Sequence, residues 1–382
     1  MKQVQVTEKT KQWLFIGLQV MIILLAGAIG YFGHDFLSRR QNEFELVDQA
    51  KQLMVENTIL EIPSEETLQH GMIRGMLDTL NDPYTFFVDP AAHEVQTGEL
   101  TGSFGGIGVR LERDTEMNWR LYPFPGSPAM EAGVMDGDIL VGVDDLKINK
   151  NTEDVTVIAA VRGPVGEGVS ILVLRGAEAV TFNIEREDFP LPTVSWNLLP
   201  EAAGVGLVKI IRISESTSGE VENAVQALID QGATSLILDL RNNGGGLVEA
   251  GTAIANLFLE TGDILHQQYN RDKEEVFSLK EPGPFTEIPL ILLVNGNTAS
   301  SAEIVAGAIK KFNRAPIIGS PTFGKTSIQY IFDLNDGSSV HITSGKWWIP
   351  GVSFPLEPDY AVEDDAAGIA VLQKAIEILN AQ

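Results

Sequence analysis

The chain has 382 residues, 27 Lys+Arg against 52 Asp+Glu for a formal charge of −25, no cysteine, and 44% hydrophobic residues. At roughly 100–200 residues per domain, this length calls for two or three folded units rather than one small module. The acidity, with no Lys/Arg cluster to offset it, argues against nucleic acid or an anionic lipid surface as partner. The missing cysteines remove disulfides, thiolate nucleophiles and Cys-ligated zinc.

Taken in chain order, Trp13 to Phe32 reads WLFIGLQVMIILLAGAIGYF, 20 residues with Gln19 as the one strongly polar member. At about 1.5 Å per residue such a helix spans about 30 Å, the hydrocarbon thickness of a bilayer. Residues 1–36 are therefore expected to form a transmembrane anchor, with Trp13 and Tyr31 at the interfaces. Ala26-Gly27-Ala28 resembles a signal-peptidase site, but the apolar run exceeds the usual h-region of about 7–15 residues. Retention is the expectation, and secretion after cleavage the alternative. Lys2, Lys9 and Lys11 before the span outnumber Arg39 and Arg40 after it. This bias predicts a cytoplasmic N-terminus and a single-pass cell-membrane protein whose remaining chain is extracytoplasmic.

Residues 37–96 carry apolar positions at helical spacing (Leu46, Ala50, Leu53, Met54, then Met72, Ile73, Met76, Leu77, Leu80) and predict a small helical unit. Asn81-Asp82-Pro83 ends the second run. Residues 97–188 change to short β-rich runs (IGVRL, WRLYPF, DILVGVD, VSILVLR, VTFNIE), with one helical turn expected at Ala129 to Ala132. From 189 to 382 strands and helices alternate, as in SLILDL, GLVEAGTAIANLFLE, PLILLVN and SAEIVAGAIKKF, followed by a β-rich stretch over about 327–348. Such alternation predicts an α/β layer with a largely parallel sheet.

Three groups of residues carry chemistry. Gly105-Gly106-Ile107-Gly108 precedes a strand, and its glycines let successive N–H groups face one anion. Ser300 opens a helix as Thr298-Ala299-Ser300-Ser301-Ala302-Glu303. Read structurally, Ser300 and Glu303 make a capping box; read chemically, the same helix start can stabilise an oxyanion beside a nucleophile. Lys325, in Pro321-Thr322-Phe323-Gly324-Lys325, has apolar neighbours, and desolvation can free its amine to accept a serine proton. The five histidines (34, 70, 93, 266, 341) stand in no recognisable motif.

The run Ser127-Pro128-Ala129 to Asp144 resembles a PDZ domain. Together with TASSAE, PTFGK, Gln329, Asp239-Leu240-Arg241-Asn242-Asn243-Gly244-Gly245-Gly246, Asn81-Asp82-Pro83-Tyr84 and Pro358-Asp359, it resembles the carboxyl-terminal processing peptidases, or tail-specific proteases, from about residue 40 to the end. The resemblance implies a multi-domain α+β/α/β chain: transmembrane helix (1–36), small helical unit (37–96), PDZ domain (97–188) and an α/β crotonase/ClpP-like Ser-Lys protease core (189–382). It implies a serine endopeptidase with Ser300 as nucleophile, Lys325 as general base and Gln329 orienting the lysine. The oxyanion hole would use the amides of Gly245, Gly244 and Ser301, and the substrate's terminal carboxylate would sit on Gly105, Gly106, Ile107 and Gly108. No metal or organic cofactor is implied. Expected partners are protein or peptide C-termini and the membrane, with no nucleic acid; homo-oligomerisation is left open.

There are departures from the family. Where relatives often carry SASASE, Ser301 stands beside the nucleophile as a rival, and Lys311 occupies a position that is acidic in some relatives, so no catalytic Asp is assigned. Lys325 and Gln329 are about 13 Å apart along an extended strand, so they meet only through converging side chains or a bend. The alternatives are a catalytically inactive tail-binding membrane adaptor and an acyl-CoA-handling crotonase-like enzyme.

Overall fold

The computed structural model describes residues 21, 25, 44–269, 273–363 and 368–381. The anchor expected over 1–36 lies outside the described residues apart from isolated Met21 and Leu25. Among the described residues no helix is long and apolar enough to cross a membrane. By its contacts the chain divides into two units, 1–71 and 72–382.

In the first unit, helix α1 (Glu45–Asn57) buries none of its residues, and Lys51 bridges to Glu65 at 2.5 Å. Helix α2 (Glu65–Asp78) begins there and runs into the second unit.

The helical unit expected over 37–96 is interrupted by a strand and then overruns its boundary. Phe86, Phe87 and Val88 form strand β1 (Phe86–Val88), and helix α3 (Pro90–Thr101) runs across the 96/97 boundary. Three consecutive β-formers after Asn81-Asp82-Pro83 favour an extended segment, and a sheet partner more than 240 residues away fixes it there. Gly102 then closes α3 in the left-handed conformation, φ 85°.

The β-rich module holds β2 (Ser103–Gly106), β3 (Val109–Arg113), β4 (Trp119–Pro123), helix α4 (Pro128–Glu131), β5 (Asp138–Val143), β6 (Leu146–Lys147), helix α5 (Asp154–Val161), β7 (Gly168–Arg175), β8 (Glu178–Glu185) and β9 (Glu187–Pro190). Strands β3-β4-β5-β7-β8 form an antiparallel sheet in that order, and β2 pairs with β9. The module has its own core, including Leu121, Leu140, Val157, Ile171 and Val173. Helix α5 was not foreseen. Its Val-Thr-Val-Ile run is β-branched and reads as a strand locally, yet burial of Val157 and Val161 holds it helical.

The α/β half starts with β10 (Val194–Leu198), β11 (Val205–Ile210), helix α6 (Thr217–Asp230), β12 (Ser235–Asp239) and helix α7 (Val248–Asn256). It continues through β13 (Gly262–Tyr269), β14 (Lys273–Leu279), β15 (Leu290–Val294), helix α8 (Ser301–Lys311), β16 (Ile317–Gly319), β17 (Ser327–Asp333), β18 (Ser339–Trp348), β19 (Tyr360–Ala361) and helix α9 (Ile369–Leu379). One sheet runs β10-β11-β12-β15-β16-β19, parallel throughout except at β10. The all-apolar strand β15 (LILLV) is wholly buried, as a parallel strand covered on both faces must be. Ile254, Phe258, Val305 and Ile309 fill the core on one face of the sheet; Val371 and Ala375 of α9 join Ile237 and Ile291 in a core on the other.

A second, antiparallel sheet builds the other wall of the site. Strand β18 pairs along its length with β17, and on its far side with β1 at one end and β13 at the other. In the break between β1 and β13, the Thr343 N–H donates to Thr85 Oγ1 at 3.0 Å.

Candidate active site

A cavity of about 670 Å³ lies between the two sheets and is lined by Ser300, Lys325, Gln329, Gly244, Gly245 and His341 among others. Five of these are residues that the sequence singles out for chemistry, and they come together from three separate stretches of chain.

Ser300 stands at the N-cap of α8 with φ 55° and ψ −123°. That conformation is costly for a side-chain-bearing residue and turns the serine out of the helix into the cavity. It is held by Glu303, whose carboxylate is completely buried. Glu303 Oε2 accepts from the Ser300 N–H (2.9 Å) and the Lys325 N–H (2.8 Å), while Oε1 accepts from the Gly324 N–H (2.7 Å) and the Thr322 hydroxyl (2.6 Å). The capping residue of the sequence reading thus also clamps the backbones of the serine and lysine segments to one another. The rival Ser301 does not line the cavity. Its hydroxyl is fully buried with no hydrogen-bond partner among the described residues, and its Cβ packs against Gly251 of α7 so closely that a Cβ on that glycine would lie 3.0 Å away.

The three amides expected as oxyanion donors differ in their hydrogen bonding. Gly245 does line the cavity and must be glycine: its φ is 94°, and a Cβ there would sit 2.9 Å from both Ser300 Cβ and Ser301 N. Its amide, however, donates to Asn243 Oδ1 at 2.8 Å. Asn243 is itself buried and anchored by its side-chain N–H to the Ile210 carbonyl (2.9 Å), so a local polar bond wins that donor. The amides of Gly244 and Ser301 carry no hydrogen bond among the described residues.

Lys325 is half-buried, and its Nζ stands 4.7 Å from the centre of the Tyr84 ring. Burial pulls its pKa below the ordinary lysine value, while the nearby Asp82 carboxylate pushes the other way. Asp82 lies below the usual carboxylate range: hydrogen bonding from Thr343, aided by Thr85 and the Tyr84 N–H, outweighs its burial. Gln329 makes no bond to Lys325. Its amide nitrogen donates to Ser327 Oγ (3.0 Å) and Thr343 Oγ1 (3.1 Å), which leaves the amide oxygen as its unused end. The β17–β18 register shifts between Ile328 and Gln329, a local irregularity in the strand that carries both residues.

His341 also lines the cavity and was not singled out from sequence. Burial, then His93, then Lys325 lower its pKa, and Phe86 stacks on it at 4.7 Å. Asp82, Tyr84 and His341 are 16 or more residues from Lys325 in sequence, so no local pattern could have assigned them. Of the expected carboxylate loop, Gly106, Ile107 and Gly108 line a cavity of about 190 Å³ with Phe104, Ile158 and Arg162. Gly105 does not line it; it packs under Gly163, where an added Cβ would meet the Gly163 carbonyl at 2.0 Å. Asp359 of Pro358-Asp359 has a structural place, accepting the Ile317 N–H at 2.9 Å and pairing with Lys310.

Family models match three stretches: peptidase family S41 at 204–366, a PDZ domain at 123–175, and the N-terminal domain of the activating protease CtpB at 33–92. The carboxy-terminal processing protease CtpA of Bacillus subtilis (strain 168) is 30% identical over 355 residues, which span 89% of this chain and 75% of that protein. A probable CtpA-like serine protease of Staphylococcus aureus (strain bovine RF122 / ET3-1) is 29% identical over 369 residues, 92% of this chain and 73% of that one. Among solved structures, a photosystem II D1 C-terminal processing protease aligns at 28% identity over 82% of this chain and 86% of its own, with a TM-score of 0.46.

Proposed function

The chain belongs to the carboxyl-terminal processing proteases of peptidase family S41, serine-type peptidases with a PDZ domain, and from that premise we propose that it is a membrane-anchored endopeptidase that grips free C-termini of extracytoplasmic proteins and cuts near the tail. The observation that carries the catalytic part is the shared cavity of Ser300, Lys325 and the Gly244–Gly245 turn.

In this reading the substrate's carboxylate enters the groove of Gly106, Ile107 and Gly108, and its last residues lie as an added strand. Ser300 Oγ attacks an internal peptide carbonyl while the neutral Lys325 amine takes the hydroxyl proton. The Ser301 and Gly244 amides hold the oxyanion at the start of α8. Collapse of the tetrahedral intermediate breaks the C–N bond, with Lys325 returning its proton to the leaving amine. A water deprotonated by Lys325 then attacks the acyl-enzyme and releases Ser300. Gln329 orients the lysine through its amide oxygen. The segment 13–32 tethers the enzyme with its catalytic part outside the cytosol.

Matched peptides with free and amidated C-termini test the recognition step. The free tail should be cut at least about tenfold faster, one factor of ten corresponding to about 1.4 kcal/mol; equal rates would remove the carboxylate from the reading. Protease protection of the catalytic half in sealed membrane vesicles tests the topology.

A further inference from the structure

The family resemblance marks Asn81-Asp82-Pro83-Tyr84 but gives it no task. In the structure this turn sits against Lys325 directly and is linked to Gln329 through Thr85 and Thr343. Asp82 Oδ2 accepts from the Thr85 hydroxyl at 2.7 Å, and Thr85 Oγ1 accepts from the Thr343 N–H at 3.0 Å. Thr343 Oγ1 in turn accepts from Gln329 at 3.1 Å. The turn is thereby fixed to β18 at the break between β1 and β13. From this footing Tyr84 lays its ring face against Lys325 Nζ at 4.7 Å.

We infer that Tyr84 is a positioning residue for the lysine, its ring face seating Nζ in the cavity and receiving the ammonium each time the lysine carries a proton. An amine buried enough to act as a base must also survive as a cation for the lifetime of the tetrahedral intermediate. For a half-buried amine an aromatic face supplies that stabilisation without taking the proton, and without offering a second hydrogen-bond acceptor that would turn the amine from the serine. The charged and titratable groups facing Lys325 are Asp82 on the same turn and His341 on β18. The Glu303 carboxylate from α8 takes the Lys325 backbone N–H.

The inference rests on Lys325 as the base, so two readouts are needed. Competitive acetylation followed by mass spectrometry gives the titration midpoint of Lys325 itself, and the acid limb of kcat/KM gives the midpoint that catalysis follows. In Tyr84→Leu the Lys325 midpoint should fall by roughly half a pH unit, kcat should fall about tenfold, and KM should change less than twofold. Tyr84→Phe should return the midpoint to the wild-type value and recover most of the rate. A Tyr84→Leu midpoint equal to wild type, or a Tyr84→Phe midpoint displaced as far as that of the leucine variant, overturns the inference. If Tyr84→Leu does not fold, singly to multiply fluorinated phenylalanines at position 84 carry the same test, the midpoint falling with each fluorine; an unchanged midpoint across that series refutes it. A Lys325 midpoint that moves while the rate limb stays put would instead remove Lys325 as the base and leave the seating intact.

Discussion

The two arms of the active site are built from different materials. The serine arm is made of backbone: a helix start, a positive-φ residue and a buried carboxylate that takes three main-chain N–H groups. The lysine arm is made of side chains: a ring face, a carboxylate and an imidazole around a half-buried amine. A backbone frame holds geometry and is costly to disturb, whereas a side-chain setting fixes a pKa and is open to adjustment. Damage to the first should therefore appear in stability as well as rate, and damage to the second chiefly in rate and its pH dependence.

Ser300→Ala gives the largest effect, a fall in kcat of about 10⁴–10⁶ with peptide binding retained. Calorimetric titration of a tail peptide together with a turnover assay checks it; residual turnover within tenfold of wild type would transfer the nucleophile elsewhere. Lys325→Met should cost about 10³–10⁴ in kcat without lowering the thermal midpoint, since a buried amine is replaced by an apolar chain of similar length. In the unmodified enzyme kcat/KM should rise with pH and level off below the ordinary lysine value of about 10.4. The sign follows from burial lowering the Lys325 pKa and from the proposed role of the deprotonated amine as base.

Glu303→Ala separates the arms. It strips four donors of one buried acceptor, so urea denaturation should show a loss of about 3–5 kcal/mol. An undiminished midpoint would mean that the frame is not what holds Ser300. Ser301→Ala should be the mildest, within about 1 kcal/mol in stability and about threefold in rate, because its buried hydroxyl makes no hydrogen bond among the described residues and the amide proposed to hold the oxyanion is kept by alanine.

The same division explains what the sequence disclosed. The parallel sheet was legible because strands such as LILLV and helices such as SAEIVAGAIKKF carry their burial pattern in contiguous residues. The serine arm was legible for the same reason: the N-cap and Glu303 are three residues apart. Lys325 and Gln329 could be named through a family resemblance, but their partners could not. Tyr84 and His341 reach the site through the β1–β18 and β17–β18 pairings, which no local period announces. The bond from the Gly245 amide to Asn243 Oδ1 was not legible because it depends on a side-chain rotamer rather than on residue order. Helix α5 went unseen because its β-branched residues speak for strand until tertiary packing overrules them.

The backbone of Ser300 bears on how such a chain would decay. With φ 55° and ψ −123°, this position lies in a region that glycine enters freely and alanine does not. A serine stays there only while selection needs its hydroxyl. In a duplicate copy released from proteolysis, glycine at 300 would relieve the local strain, so drift there runs downhill towards a more stable, inert relative. Silent members of such a lineage should therefore be recognisable by a glycine where the active ones keep their serine.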